Sequence, residues 1–256
     1  MIANYHTHTP RCHHATGAER KYVENAIARG LQIFGFSDHT PQYFPGSYYS
    51  YMRMFPEELD DYCNDVRALQ TEFAGKIEIP LGVEAEYYPV TWKEMLLRLQ
   101  DAGVEYMLLG QHWINNEYDA PSHATAPTED VSHLIAHCNQ VITALETGKF
   151  TYIAHPDFLN FVGDPKIYQQ QMQRICKASI DTDTPLEINL LGVREHRHYP
   201  NLLFWEIAAQ EGCKVVLGMD AHSPNAITNT QQEADAMKIV QDLGLNLLQT
   251  VPIKHI

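Results

Sequence analysis

No apolar run in this 256-residue chain approaches the ~20 residues of a membrane span. The opening Met1-Ile2-Ala3-Asn4-Tyr5-His6 lacks the basic flank and apolar core of a secretion signal. A soluble, cytoplasmic protein without a membrane partner is expected. Positive charge is scarce: 18 Lys+Arg face 32 Asp+Glu, a formal net charge of -14. Such a surface repels a phosphate backbone and no local basic patch offsets it, so no nucleic-acid partner is expected. The five cysteines are odd in number, widely spaced and never in a C-x-x-C arrangement, which fits reduced thiols. Low-complexity tracts and blocks of like charge are missing, and a composition 45% hydrophobic and 20% charged excludes disordered, collagen-like and coiled-coil chains. A glycine-rich phosphate loop is absent as well.

What is present is alternation. Short β-branched or aliphatic runs at residues 2–6, 33–38, 77–85, 106–110, 150–154, 186–190 and 215–218 alternate with stretches of helical period at 19–28, 56–73, 92–101, 129–147, 167–180, 202–210 and 231–243. Repeated βα units of this kind build a parallel sheet. Pro56 followed by Glu57 and Glu58 is a good helix start, because proline tolerates the first turn and carboxylates favour the positive helix end.

The ends of the runs carry polar residues in register: His6-Thr7-His8, Ser37-Asp38-His39, Glu84, His112, His155-Pro156-Asp157, Asn189 and Asp220-Ala221-His222. In a barrel all such residues point into one mouth at the C-terminal face of the strands, whereas an open doubly wound sheet gathers ligands at its switch point. The expected fold is therefore α/β, a distorted (β/α)7 TIM-like barrel forming a single domain over residues 1–256. Residues 245–251 have strand character but no polar ending, which leaves a barrel that is seven-stranded or incompletely closed. His6 and His8 share one face of an extended strand, and the same strand-end position is refilled by His39, Glu84, His112, His155, Asp220 and His222. Imidazole with carboxylate and no thiolate suits zinc, iron or manganese. His123, His133, His137 and His255 have no matching partners and read as solvated or packed; Cys12 reads as a small packed side chain.

Taken together, His6-Thr7-His8-Thr9, Cys12-His13-His14-Ala15, Gly35-Phe36-Ser37-Asp38-His39, Gly82-Val83-Glu84, Gly110-Gln111-His112, Ala154-His155-Pro156-Asp157 and Gly218-Met219-Asp220-Ala221-His222-Ser223 resemble the PHP (polymerase and histidinol phosphatase) family along almost the whole chain. The resemblance implies three divalent metal ions: one on His6, His8, Glu84 and Asp220, a second on Glu84, His112 and His155, and a third on His14, His39 and His222. Spacing from His6 within the family favours His14 over His13, which becomes a loop residue. Glu187-Ile188-Asn189 with Gly192, Arg194 and Tyr199-Pro200 are similar to the histidinol-phosphatase branch, a phosphoric monoester hydrolase of histidine biosynthesis. On that likeness Glu84, Asp220 and His222 are catalytic, Arg194 clamps the phosphate, and Asn189 and Ser223 contact substrate.

A positive metal cluster inside an acidic protein reconciles the net charge with a small phosphorylated substrate. Two ions sharing Glu84 would hold a bridging hydroxide as nucleophile for in-line displacement. An alkoxide leaving group calls for a proton donor, for which His196, His198 and a metal-bound water are candidates. The aromatic segment at residues 43–51 is expected to pack on the rim, with stacking on an imidazole ring as the alternative, and Glu117 and Asp119 to be solvated or to meet a substrate ammonium. Competing readings are another small phosphate ester or nucleotide as substrate, an amidohydrolase, and a metal-binding module without turnover. No lysine ends a strand to form the amidohydrolase carbamate, and nine intact ligand positions argue against a module that has lost activity.

Overall fold

A computed structural model describes residues 1–119 and 121–256. The first strand position is occupied by β1 (Ala3–Asn4), which pairs in parallel with β2 (Ile33–Phe34). From there β3 (Phe36–His39), β4 (Leu81–Ala85) and β5 (Tyr106–Leu109) follow edge to edge. A small hairpin of β6 (Trp113–Ile114) and β7 (Ser122–His123) rises beyond β5. The sheet continues through β8 (Phe150–Ile153), β9 (Leu186–Asn189) and β10 (Lys214–Gly218), every pairing parallel. Closure is made by the first strand: Thr7 bridges Ala221 in parallel, and the His8 N–H donates to the Ala221 carbonyl at 3.0 Å. The expected (β/α)7 barrel is thus observed. The segment at 245–251 contributes β11 (Asn246–Leu247), which pairs only with the start of β10. Its Val251 carbonyl accepts from the Tyr5 hydroxyl at 3.3 Å, so this segment plugs the floor and does not reach the mouth.

The helices that cover the outside are α1 (Glu19–Arg29), α2 (Leu59–Glu72), α3 (Trp92–Asp101), α4 (Val131–Glu146), α5 (Pro165–Asp181), the short α6 (Leu190–Arg194), α7 (Leu202–Glu211), the short α8 (Pro224–Thr228) and α9 (Gln231–Leu243). Pro56 opens a single 3-10 turn ahead of α2, and Glu58 accepts from the Phe55 N–H at 2.9 Å, so the expected start is kept with a tighter first turn. The short α6 and α8, and the β6–β7 hairpin, were not legible as periodic segments because each is too short to show a period. No helix among the described residues is long and apolar enough to cross a membrane.

Two cores result. The outer one lies between helices and strands, with Tyr62, Val66, Met95, Leu134, Met172 and Trp205 fully buried. The inner one fills the barrel with Tyr5, Tyr106 and Tyr152, stacked edge to face at 6.1 and 6.4 Å. The Tyr106 hydroxyl donates to the carbonyls of Tyr5 (2.7 Å) and Phe36 (3.0 Å), which satisfies the one polar atom of that ring. Gly35 and Gly82 leave the room this ring needs, since a Cβ on either would overlap it. Below the mouth, then, the barrel is solid.

Candidate metal centre

The strand ends place their polar residues as the register required. His6 and His8 leave the first strand, His39 ends β3, Glu84 lies in β4, His112 follows β5, His155 follows β8, and Asp220 and His222 follow β10. His155 and Asp220 hold left-handed backbones, φ 32° and 46°, which ordinary residues avoid at a cost of ~1–3 kcal/mol each. Strain of this kind marks positions whose side-chain direction is over-determined by the surroundings.

Glu84 is the hub. Its Oε1 lies 2.8 Å from His155 Nε2 and 3.6 Å from His112 Nε2; its Oε2 lies 3.0 Å from His39 Nδ1, 3.5 Å from His6 Nε2 and 3.6 Å from His8 Nε2. Asp220 Oδ1 stands 3.1 Å from His8 Nε2 and 3.6 Å from His6 Nε2. Burial by itself raises both carboxyls, yet the imidazoles outweigh it. His112, His39 and His6 hold Glu84 well below the usual carboxylate range, and His6, His222 and His8 do the same for Asp220. On the opposite side, burial and the neighbouring His8 push His39 well down and His222 down to about 3. His8 goes the other way, up to about 9 against its burial, because Asp220 and Asp38 bind its charged form.

The fit to a cation can be tested on the atoms themselves. His6 Nε2, His8 Nε2, Glu84 Oε2, Asp220 Oδ1 and His222 Nε2 are all buried and make no hydrogen bond. An unpartnered buried polar atom costs ~1–3 kcal/mol, so several of them converging on one spot need a common partner. Ligand atoms of His6, His8 and Glu84 lie within 4.8 Å of one another, as do those of His14, His39 and His222, of His39, Glu84 and His112, and of His6, His155 and Asp220. Overlapping triads of nitrogen and carboxylate oxygen are what a site for more than one divalent ion requires. His14 joins this cluster through its ring, whereas His13 turns outward in a left-handed cap and packs on Phe55 at 4.3 Å. Cys12 lies within the same distance of His8 and His222, but burial drives its thiol far from ionisation.

A second layer of carboxylates orients these rings. Glu187 accepts from His6 Nδ1 (2.8 Å) and the His155 N–H (3.0 Å); Asp38 sits 3.4 Å from His8 Nδ1; Glu86 accepts from His112 Nδ1 (2.9 Å). The bonds at Nδ1 of His6, His8 and His112 fix the tautomer that leaves Nε2 free to point inward, while the backbone bond to Glu187 holds the chain at His155. Sequence reasoning had placed Asp38 and Glu187 in motifs without a role and had missed Glu86. A signal existed, since Glu86 is two residues beyond Glu84 and shares its face of the chain.

The expected substrate contacts lie elsewhere. Arg194 donates to Gln232 Oε1 at 3.2 Å and stands 3.5 Å from Glu195, so its guanidinium is turned towards α9 and does not line the mouth. Asn189 spends every polar side-chain atom internally: Nδ2 donates to Glu187 (3.0 Å) and Asp220 (3.1 Å), while Oδ1 caps α6 through the Gly192 N–H (2.9 Å). Ser223 is the residue before α8 and is not part of the cavity wall. The cavity, about 570 Å3, is instead walled by Met52, His123, Phe158, Arg197, His198 and Tyr199 above the histidine cluster. His123 is thus a correction: the unforeseen β6–β7 hairpin carries it to the mouth, where burial keeps it neutral, its pKa down to about 4. Glu117 is a second correction, being neither solvated nor free but buried against Arg53.

A parallel barrel with a histidine and carboxylate cluster at its mouth defines a class of barrel-mouth metalloproteins. The chain belongs to the PHP domain family, whose model matches residues 4–190. Among curated relatives, a Deinococcus radiodurans protein named "Probable histidinol-phosphatase" is 31% identical over 99% of this chain and 97% of its own length. The "Histidinol-phosphatase" of Lactococcus lactis is 36% identical over 86% of this chain and 83% of its own. The crystal structure of the Lactococcus lactis histidinol phosphate phosphatase, complexed with zinc, L-histidinol and phosphate, superposes with a TM-score of 0.75 at 20% identity, covering 98% of this chain and 96% of that one.

Proposed function

We infer that this protein is a metal-dependent phosphomonoesterase acting on L-histidinol phosphate, with residues 1–256 working as one domain. The observation that carries this reading is the group of buried, unpartnered ligand atoms around Glu84 beneath an open cavity. Full-length likeness to relatives named for that activity supports it. Three divalent ions, zinc, iron or manganese, would be held by His6, His8, Glu84 and Asp220, by Glu84, His112 and His155, and by His14, His39 and His222. When bound, such ions supply Lewis acidity and an activated water for displacement at phosphorus.

The chain's own groups do the rest. Glu84 would be shared between the first two sites, while Asp220, with its left-handed backbone, and His222 two residues on would serve the first and the third. Arg197 lines the cavity with its Nε and Nη2 on Glu195 Oε2, at 2.9 and 2.5 Å, and its Nη1 on the Tyr199 hydroxyl at 2.8 Å. These bonds leave one N–H on each of Nη1 and Nη2, and at the cavity wall that pair would serve a phosphoryl group better than Arg194, which does not line the cavity. His123 and Phe158, with ring centroids 5.7 Å apart, form a wall suited to a flat imidazole, and Met52 closes the same side.

Turnover of L-histidinol phosphate, compared with sugar phosphates, nucleotides and phosphotyrosine on protein of measured metal content, tests the reading. A kcat/KM for histidinol phosphate that is at least tenfold above the rest of the panel is expected. Equal or lower turnover would move the assignment to another small ester, and retention of at most one metal per chain would remove the multinuclear site.

A further inference from the structure

We propose that Arg53 is a positioning residue for the metal centre: through Glu86 it fixes the ring of His112, and through Glu117 it ties that ring to the aromatic segment at residues 43–51. The inference rests on the metal reading above.

Arg53 is one of the largest fully buried side chains in the protein. A lone buried guanidinium is strongly unfavourable, so its partners are part of the same device. Its Nη2 donates to Glu86 Oε2 at 2.6 Å and also to Glu117 Oε2, and its Nη1 reaches the Thr40 carbonyl at 3.4 Å. Glu86 divides its two oxygens. Oε2 faces Arg53 and the Tyr88 hydroxyl, whereas Oε1 accepts from both the backbone N–H (2.8 Å) and the ring Nδ1–H (2.9 Å) of His112. With one oxygen pinned by the guanidinium, the other has a single direction left, and the His112 ring follows it. The lone pair on Nε2 is then aimed at Glu84 and the centre, 3.6 Å away.

The other arm runs outward. Glu117 shares the same guanidinium nitrogen and accepts from the Tyr48 hydroxyl at 3.2 Å, and Tyr48 stacks edge to face on Phe44 at 5.1 Å. One cation therefore holds two buried carboxylates, one attached to a proposed ligand and one to the aromatic segment that lines a neighbouring hollow. A mere structural brace at this place would change folding stability and leave metal affinity alone. A positioning residue changes the affinity of one ion.

The test uses the full chain loaded with zinc. Affinity is read by competition with a chromophoric chelator, stoichiometry by elemental analysis, and ligand geometry by the visible spectrum after cobalt(II) replacement. The variants are Glu86→Gln, Arg53→Lys, and Arg53→Met combined with Glu117→Gln, which removes a carboxylate with the cation; circular dichroism verifies folding. One zinc equivalent should lose affinity about ten- to a hundredfold in Glu86→Gln and in the double variant, with a changed cobalt spectrum. Arg53→Lys should recover part of it, since an ammonium restores the charge but not the fork that serves two acids. If the double variant does not fold, Glu86→Gln and Arg53→Lys decide. Folded variants that keep every zinc equivalent at wild-type affinity with an unchanged cobalt spectrum overturn the inference alone. Wild-type protein that binds no zinc, iron or manganese overturns the metal reading, and this inference with it.

Discussion

Gly110 stands against the carboxylate of Glu84 so closely that a Cβ at this position would overlap Oε1. The same relation is repeated across the mouth, where a Cβ on Gly218 would overlap Oε1 of Glu187. Two strand-end glycines thus make the space in which the central carboxylate and its main supporting carboxylate sit. Gly110→Ala should displace Glu84, lowering bound metal and activity together and destabilising the fold by ~1–3 kcal/mol through overpacking. Elemental analysis and thermal melting of Gly110→Ala beside Gly218→Ala would check this; unchanged metal content in both would show that the carboxylates have room to move.

Arg197 and Arg194 make opposite predictions. Arg197 lines the cavity and Arg194 is bonded to Gln232 near α9. Arg197→Ala should lose a charge-assisted contact worth ~1.5–3 kcal/mol, or roughly 10- to 150-fold in kcat/KM. Arg194→Ala should stay within about threefold of wild type, a change of ~0.6 kcal/mol. Steady-state kinetics on both variants decides, and the reverse order would return the phosphate contact to Arg194.

His198 is poorly placed to protonate a leaving alcohol. Its Nε2–H is given to the Phe158 carbonyl at 2.8 Å, and burial lowers its pKa, so Nδ1 carries no proton at neutral pH. His198→Asn should therefore slow an alkyl phosphate and p-nitrophenyl phosphate by similar factors. A loss confined to the alkyl ester, whose leaving group needs the proton, would restore His198 as the acid.

Acid sensitivity should arise in part at His137, buried in α4. Burial, with His155 and His112 nearby, pushes it down to about 4 from an ordinary value near 6.5. The unfolded chain takes up a proton below pH 6.5 that the native ring refuses until about pH 4, so stability is full above this window and falls as pH drops through it. The loss is ~2–4 kcal/mol. Urea unfolding of wild type and His137→Leu at pH 7 and pH 4.5 should show a smaller decrease in the variant; equal decreases would place the acid sensitivity in other groups.

The histidines and carboxylates of the strand-end cluster were legible before any fold was seen. Their register repeats once per βα unit, and a closed parallel sheet brings residues in that register to one mouth whatever the loops do. His6, His8, His39, Glu84, His112, His155, Asp220 and His222 needed only the seven strands and their order, both of which follow from the alternation of short apolar runs and helical periods. The number of strands was readable for the same reason, since the segment at 245–251 offered no polar ending and indeed pairs only at the floor.

Which loop residues face the cavity was decided by tertiary structure alone. Arg194 and Arg197 are three residues apart, yet the chain reverses at the left-handed His196, and the Arg197 N–H returns to the Gly192 carbonyl at 3.0 Å. That turn sends one guanidinium to the rim and leaves the other against α9, and no period or composition encodes it. The same holds for His123, carried inward by a hairpin of two-residue strands, and for the buried triad of Arg53, Glu86 and Glu117, drawn from three separate segments. Charged residues in loops read as solvated because most are; burial becomes stable only when partners distant in sequence arrive together, and that meeting exists only in the folded chain.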